Sequence, residues 1–83
     1  MTVKEIKVRY FVVDPKDIVF IKAILESYEG MVVLRTVEVG KPVIELLIAH
    51  DFSQTIQTVL QELQSQVQLN EINSPDAWVP EQP

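Results

Sequence analysis

At Asp14 the hydrophobic pattern of the chain switches from alternation to helical spacing. In residues 3–13, VKEIKVRYFVV, Ile6, Val8, Tyr10 and Val12 point one way and Glu5, Lys7, Arg9 and Phe11 the other. Such alternation reads as a strand with one face in a core. From Asp14 to Gly30, DPKDIVFIKAILESYEG, the residues Ile18, Ile21, Leu25 and Tyr28 recur at helical spacing, with Ile24 beside them. Both ends of this helix are marked. Asp14 can accept a bond from an orphan amide, and Pro15 follows where its missing N–H costs nothing. Asp17 adds negative charge at the positive end of the helix dipole. Gly30, with no Cβ, suits a left-handed cap. Lys22 and Glu26 fall on a wet face. Val19, Phe20 and Ala23 lie off the main stripe and form either the flank of a wide core or a contact surface for a partner chain.

Residues 31–39, MVVLRTVEV, are rich in β-branched side chains and read as a second strand. Val32, Leu34 and Thr36 form one side of it, and Val33, Arg35, Val37 and Val39 the other. Gly40-Lys41-Pro42 is a turn. Residues 43–49, VIELLIA, close a hairpin, with Ile44, Leu46 and Ile48 opposed to Val43, Glu45, Leu47 and Ala49. Asp51 opens a second helix, and Asp51 and Gln54 have the spacing of a capping box. Phe52, Ile56, Val59, Leu60, Leu63 and Val67 form its apolar stripe, and Gln54, Gln57, Gln61 and Gln64 its neutral outer face. Residues 67–72, VQLNEI, read as a short fourth strand. Residues 1–73 thus make one domain. Residues 74–83, SPDAWVPEQP, hold three of the five prolines and form an irregular tail. Its Trp78 either packs on its own chain or a neighbouring subunit, or docks into another protein.

The order β-α-β-β-α-β, with right-handed crossovers and one hairpin, leads to an antiparallel sheet ordered 4-1-3-2 with both helices on one face. This is the ferredoxin-like plait, a two-layer α+β sandwich. The other sheet face then has no cover within the domain. On it the expected arrangement sets Glu45 between Arg9 and Arg35, with Lys7, Phe11, Leu47, Val33 and Val37 nearby. Arg9, Glu45 and Arg35 form either a cross-strand charge ladder or an anion site gated by Glu45. Dimerisation often buries such a half-apolar face, and the edge made by the second strand can pair with its copy in another subunit.

Several functional classes are disfavoured. Net charge is −5 over 83 residues, the wrong sign for non-specific nucleic-acid or anionic-membrane binding. An RNA-binding sheet face needs stacking aromatics on strands one and three, where only Phe11 is on offer. There is no cysteine, hence no disulfide or thiolate metal site. No apolar run is long enough to span a membrane, and the first residues lack a signal-peptide pattern, so a cytoplasmic location is the expectation. His50, the single histidine, has no evident catalytic partner, since Asp51 serves as a helix cap. Asp14 and Asp17 are too few for a hard cation. Ser27 and Ser53 lack a base, and the two glycines make no phosphate loop. The expectation is a chain without catalytic residues, metal or cofactor.

The run DIVFIKAILESYEGMVVLRTVE, followed by a turn and VIELLIAHDF, resembles a small bacterial family of domains of unknown function. Asp17, Ile18, Ile24, Leu25, Glu26, Tyr28, Glu29, Gly30, Val33, Arg35 and Thr36 carry the resemblance, which extends over residues 5–63. It implies no activity, but it offers Glu26, Glu29 and Arg35 as candidates for a shared role. A more distant similarity is to ACT domains, small regulatory plaits. The run YFVVDPKDIVFIKAILESYEGMVV follows their strand–Asp–helix–Gly–strand order, with Lys16 and Asp17 where those domains usually have a glycine. That similarity implies an amino acid or other small metabolite near Asp14 and Asp17, at a subunit interface.

The leading expectation is a self-associating interaction or regulatory module, forming a homodimer or binding another protein. Arg9, Arg35, Glu45, Asp14 and Asp17 are its candidate ligand-binding residues. Phe11, Val19, Phe20, Ala23, Leu47 and Trp78 are its candidate interface residues. The alternative is an ACT-like small-ligand sensor.

Overall fold

The computed structural model describes residues 5–37 and 40–80. Its elements are β1 (Ile6–Val13), α1 (Ile18–Glu26), β2 (Val32–Thr36), β3 (Val43–Ala49), α2 (Ser53–Gln64) and β4 (Leu69–Ile72). The four strands form one antiparallel sheet in the order β2-β3-β1-β4, which is the expected 4-1-3-2 read from its other edge. The chain is α+β. The expected strand positions at residues 3, 4, 38 and 39, and residues 81–83 of the tail, lie outside the described residues.

The helix ends follow from local chemistry. Asp14 caps as expected: its Oδ1 accepts from the Lys16 N–H at 3.1 Å. The turn it caps is a 3-10 turn, Pro15–Asp17, which leads into α1. Asp17 then occupies the N-cap of α1 without a side-chain bond. After α1, Gly30 adopts φ +82°, a conformation that a side chain would strain. The second helix begins differently from expectation. Asp51 lies in a 3-10 turn, His50–Phe52, and Phe52 becomes the N-cap with no side-chain bond, so the Asp51–Gln54 capping box does not form. The turn itself satisfies the first amide, because Ser53 N–H donates to the His50 carbonyl. Beyond α2 the chain keeps winding, with Val67 N–H donating to the Leu63 carbonyl at 2.9 Å, so β4 starts only at Leu69. The tail is not wholly irregular: Pro75–Ala77 form one more 3-10 turn.

One cluster of buried side chains joins both helices to the sheet. Ile21 and Leu25 of α1 and Ile56, Leu60 and Leu63 of α2 meet Phe11, Val13, Val32, Ile44, Leu46, Ile48 and Leu69. Ile18, Ile24, Tyr28, Val59 and Val67 pack around it, as the helical stripes require. Both helices therefore lie on the same side of the sheet.

The faces of β2 and β3 are as expected, but those of β1 are reversed. Phe11 pairs with Ile44 and Arg9 with Leu46, so the odd-numbered residues of β1 face the helices. Phe11 is fully buried, whereas Ile6 and Val8 of the even-numbered set are exposed. Glu45 stands opposite Tyr10, not Arg9. The expected grouping of Arg9, Lys7 and Phe11 with Glu45 would need a register slipped by one residue, which turns every side chain of a strand to the other face. The native register wins because it seats Phe11 and Val13 against Ile44 and Leu69 in the core.

Candidate interaction face

The face of the sheet away from the helices is mostly apolar. Antiparallel pairing lines up Val33, Leu47 and Val8 in one row, and Ile6 with Ala49 in the next. Val12 and Val43 pair at the opposite end. Exposure is graded along the face. Val43 is buried, Leu47 is half-buried, and Ile6, Val8 and Val33 keep 55%, 43% and 55% of their surface in contact with solvent. Three β-strands thus present a contiguous aliphatic patch around Leu47.

One polar row crosses this face. Arg35, Glu45, Tyr10 and Ile72 follow one another across β2, β3, β1 and β4. Arg35 Nε lies 3.4 Å from Glu45 Oε1, and the Glu45 side chain is mostly shielded. Burial raises the pKa of the Tyr10 phenol, and its hydrogen bond to the Glu45 carboxylate and that charge raise it further, with Arg35 opposing. Glu45 is therefore paired with the Arg35 guanidinium and has Tyr10 opposite it on β1. The row is neutral overall, and it leaves no pair of cations converging on an anion.

Arg9, the third member of the expected charge group, is on the helix side. Its Nε and Nη2 donate to the two Glu71 carboxylate oxygens at 2.8 and 2.7 Å, and its Nη1 donates to Gln57 Oε1 at 2.7 Å. The guanidinium also sits 5.3 Å from the centre of the Phe11 ring. This cluster ties β1 to β4 and α2. The Arg9 bonds hold the Glu71 carboxyl below its ordinary pKa and raise that of Arg9. Every polar arm of Arg9 faces a protein partner, which makes it a structural clamp.

The remaining candidates are scattered. Asp14 is occupied by its cap and by an ion pair with Lys16 at 3.7 Å. Phe11 lies in the core, so it offers no surface to a partner. Val19, Phe20 and Ala23 are exposed on α1, away from the core. Phe20 borders a shallow groove of about 330 Å³ between the helices, with Ile24, Tyr28, Val59 and Glu62 among its walls. Leu47 is half-buried on the open face, and Trp78 is half-buried in the tail. His50 is exposed, with its main-chain N–H donating to the Glu5 carbonyl at 2.9 Å. Among the described residues no three His, Cys, Asp or Glu side chains are grouped to hold a metal ion, and no helix is long and apolar enough to cross a membrane.

Sequence reasoning assigned Ile6, Val8 and Tyr10 to the core and so missed them as surface. The signal that places them is in β3. Ile44, Leu46 and Ile48 are more apolar as a set than Val43, Glu45, Leu47 and Ala49, so the first set takes the core. The pairing of Phe11 with Ile44 then fixes β1.

No curated protein and no solved structure matches the chain. A family model described as a domain of unknown function, DUF4911, matches residues 11–67. The match spans both helices and the β2–β3 hairpin and includes Arg35 and Glu45, while Arg9 and Glu71 lie outside it. With most of its length under that model, the chain belongs to the DUF4911 family.

Proposed function

We propose that the domain is a ferredoxin-like plait that works as a non-catalytic, self-associating interaction module, and that a second copy covers its open sheet face. The observation that carries this reading is the contiguous row Val8–Leu47–Val33, with Ile6 beside it, on the face that no helix covers. Exposed aliphatic surface on a small domain is costly, and burying it against another copy returns its transfer free energy at roughly 25 cal/mol per Å². The charge pattern suits a second copy. The chain carries −5 overall, yet among the described residues the strand positions on this face carry charge only in the Arg35–Glu45 ion pair. Two acidic chains can meet there without opposing like charges.

Sedimentation velocity over a range of protein concentrations tests the reading. The wild type is expected to associate reversibly, and Val8→Glu is expected to remain a monomer while keeping its fold. A wild type that stays monomeric throughout would refute it.

A further inference from the structure

β2 is an edge of the sheet, and its outer side has unmet main-chain groups. Ala49 N–H donates to the Met31 carbonyl at 2.9 Å, and Val37 N–H to the Val43 carbonyl at 3.3 Å. Antiparallel neighbours alternate between hydrogen-bonded and non-bonded pairs. Met31, Val33, Arg35 and Val37 therefore turn their main-chain groups toward β3. Val32, Leu34 and Thr36 turn theirs outward, and among the described residues no main-chain group outside the sheet meets them. Alongside runs a groove of about 330 Å³ between β2 and α1, with Leu25, Val32 and Leu34 as its apolar walls. Lys22, Glu26 and Glu29 stand on the α1 side of the same groove. None of these three forms an ion pair among the described residues.

An extended chain laid along β2 would satisfy the outward groups and send every second side chain into this groove. Two occupants compete for it. A second copy would approach about a two-fold axis and bring the same two carboxylates and one ammonium against their equals. Net negative charge would then face net negative charge. A strand that carries Lys or Arg beside its apolar positions meets the same excess with opposite charge. We propose that the β2 edge and the α1 rim together form a strand-addition site for an extended segment of another protein, apolar at alternate positions and flanked by basic residues. The site is separate from the open sheet face and does not depend on self-association.

The probe is a short fluorescein-labelled peptide of alternating Val and Thr with Arg at both ends, titrated into the full chain and followed by anisotropy. In the expected geometry the Val side chains enter the groove and the Val amides face β2. Saturable binding is expected, weakened about tenfold or more when Glu replaces the terminal Arg, when the Val amides are N-methylated, or in the Glu26→Lys/Glu29→Lys double variant. Thr36→Pro, which removes one outward N–H and leaves the β3 ladder intact, is expected to weaken it too. Should that variant not fold, the N-methylated peptide poses the same question. Hydrogen exchange is expected to slow at Val32, Leu34 and Thr36 when the peptide is bound. Absence of binding, equal affinity for the Glu-flanked peptide, or indifference to N-methylation would each overturn the proposal. Protection of these amides that rises with protein concentration alone would also overturn it, by showing that a second copy takes the edge.

Discussion

Arg9 reaches diagonally across the β1–β4 pair to Glu71, which stands opposite Phe11, and the two side chains are joined by two parallel N–H···O bonds of 2.8 and 2.7 Å. Bidentate geometry of this kind makes an ion pair stronger than the usual surface contact. Glu71 is 44% exposed, however, and solvent screens part of the gain. Glu71→Gln is therefore expected to lower stability by about 1 kcal/mol near neutral pH. The carboxyl is held below its ordinary pKa in the folded chain. Its contribution is thus fully present above the unfolded value of about 4.3 and is lost as pH falls through the folded value. Urea melts of both proteins at neutral and at acidic pH are expected to show a gap that closes in acid.

Phe11 is a core residue, in contact with both layers, and its removal leaves a cavity. Phe11→Ala is expected to cost about 3–5 kcal/mol, and Phe11→Leu much less. Denaturant titration measures both. Association should be lost in Phe11→Ala only to the extent that the fold is lost, because the side chain never reaches the open face.

Asp14 and Asp17 differ in what their side chains do. Asp14 accepts the Lys16 N–H, and Asp17 makes no cap bond. Asp14→Ala is expected to destabilise the chain by about 1 kcal/mol, and Asp17→Ala by a few tenths. Thermal melts of the two variants check this order. Equal losses would mean that Asp14 contributes charge alone.

Gly30 adopts φ +82° with nothing within 4 Å of where a Cβ would stand. Space does not restrict this position; backbone conformation does. Gly30→Ala is expected to cost roughly 1–2 kcal/mol. Gly30→Asn should cost less, because Asn tolerates the left-handed region better. A chemical denaturation series compares the three residues.

Much of this fold was legible because local signals agreed with one another. The Asp14-Pro15 start, the Gly30 stop and the stripes Ile18–Ile21–Leu25 and Ile56–Leu60–Leu63 all pointed to two helices packed on one sheet. The hairpin around Gly40-Lys41-Pro42 fixed β2 against β3. The faces of β1 were not legible in the same way. Both of its sides are apolar in part, and Ile6, Val8, Tyr10 and Val12 outnumber Phe11 and Val13. Counting apolar residues chose the wrong side, because the choice belongs to a strand distant in sequence. The Asp51–Gln54 pair misled for a simpler reason: Asp51 is taken up in a 3-10 turn ahead of the helix, so Phe52 and not Asp51 holds the N-cap.

The same reversal of β1 shapes the candidate site. It moves Arg9 out of the open face and into the clamp with Glu71 and Gln57, and it brings Ile6 and Val8 alongside Leu47 and Val33. A surface expected to be half apolar and half charged is therefore largely aliphatic.

The most direct test of self-association through that surface is native mass spectrometry of the wild type beside Val33→Glu. Val33 is 55% exposed, so the variant loses little core packing and should melt within about 0.5 kcal/mol of the wild type. The expected result is a dimer for the wild type and a monomer for Val33→Glu at the same concentration. A wild-type monomer, or a Val33→Glu protein that associates as well as the wild type, would contradict burial of this face by a second copy.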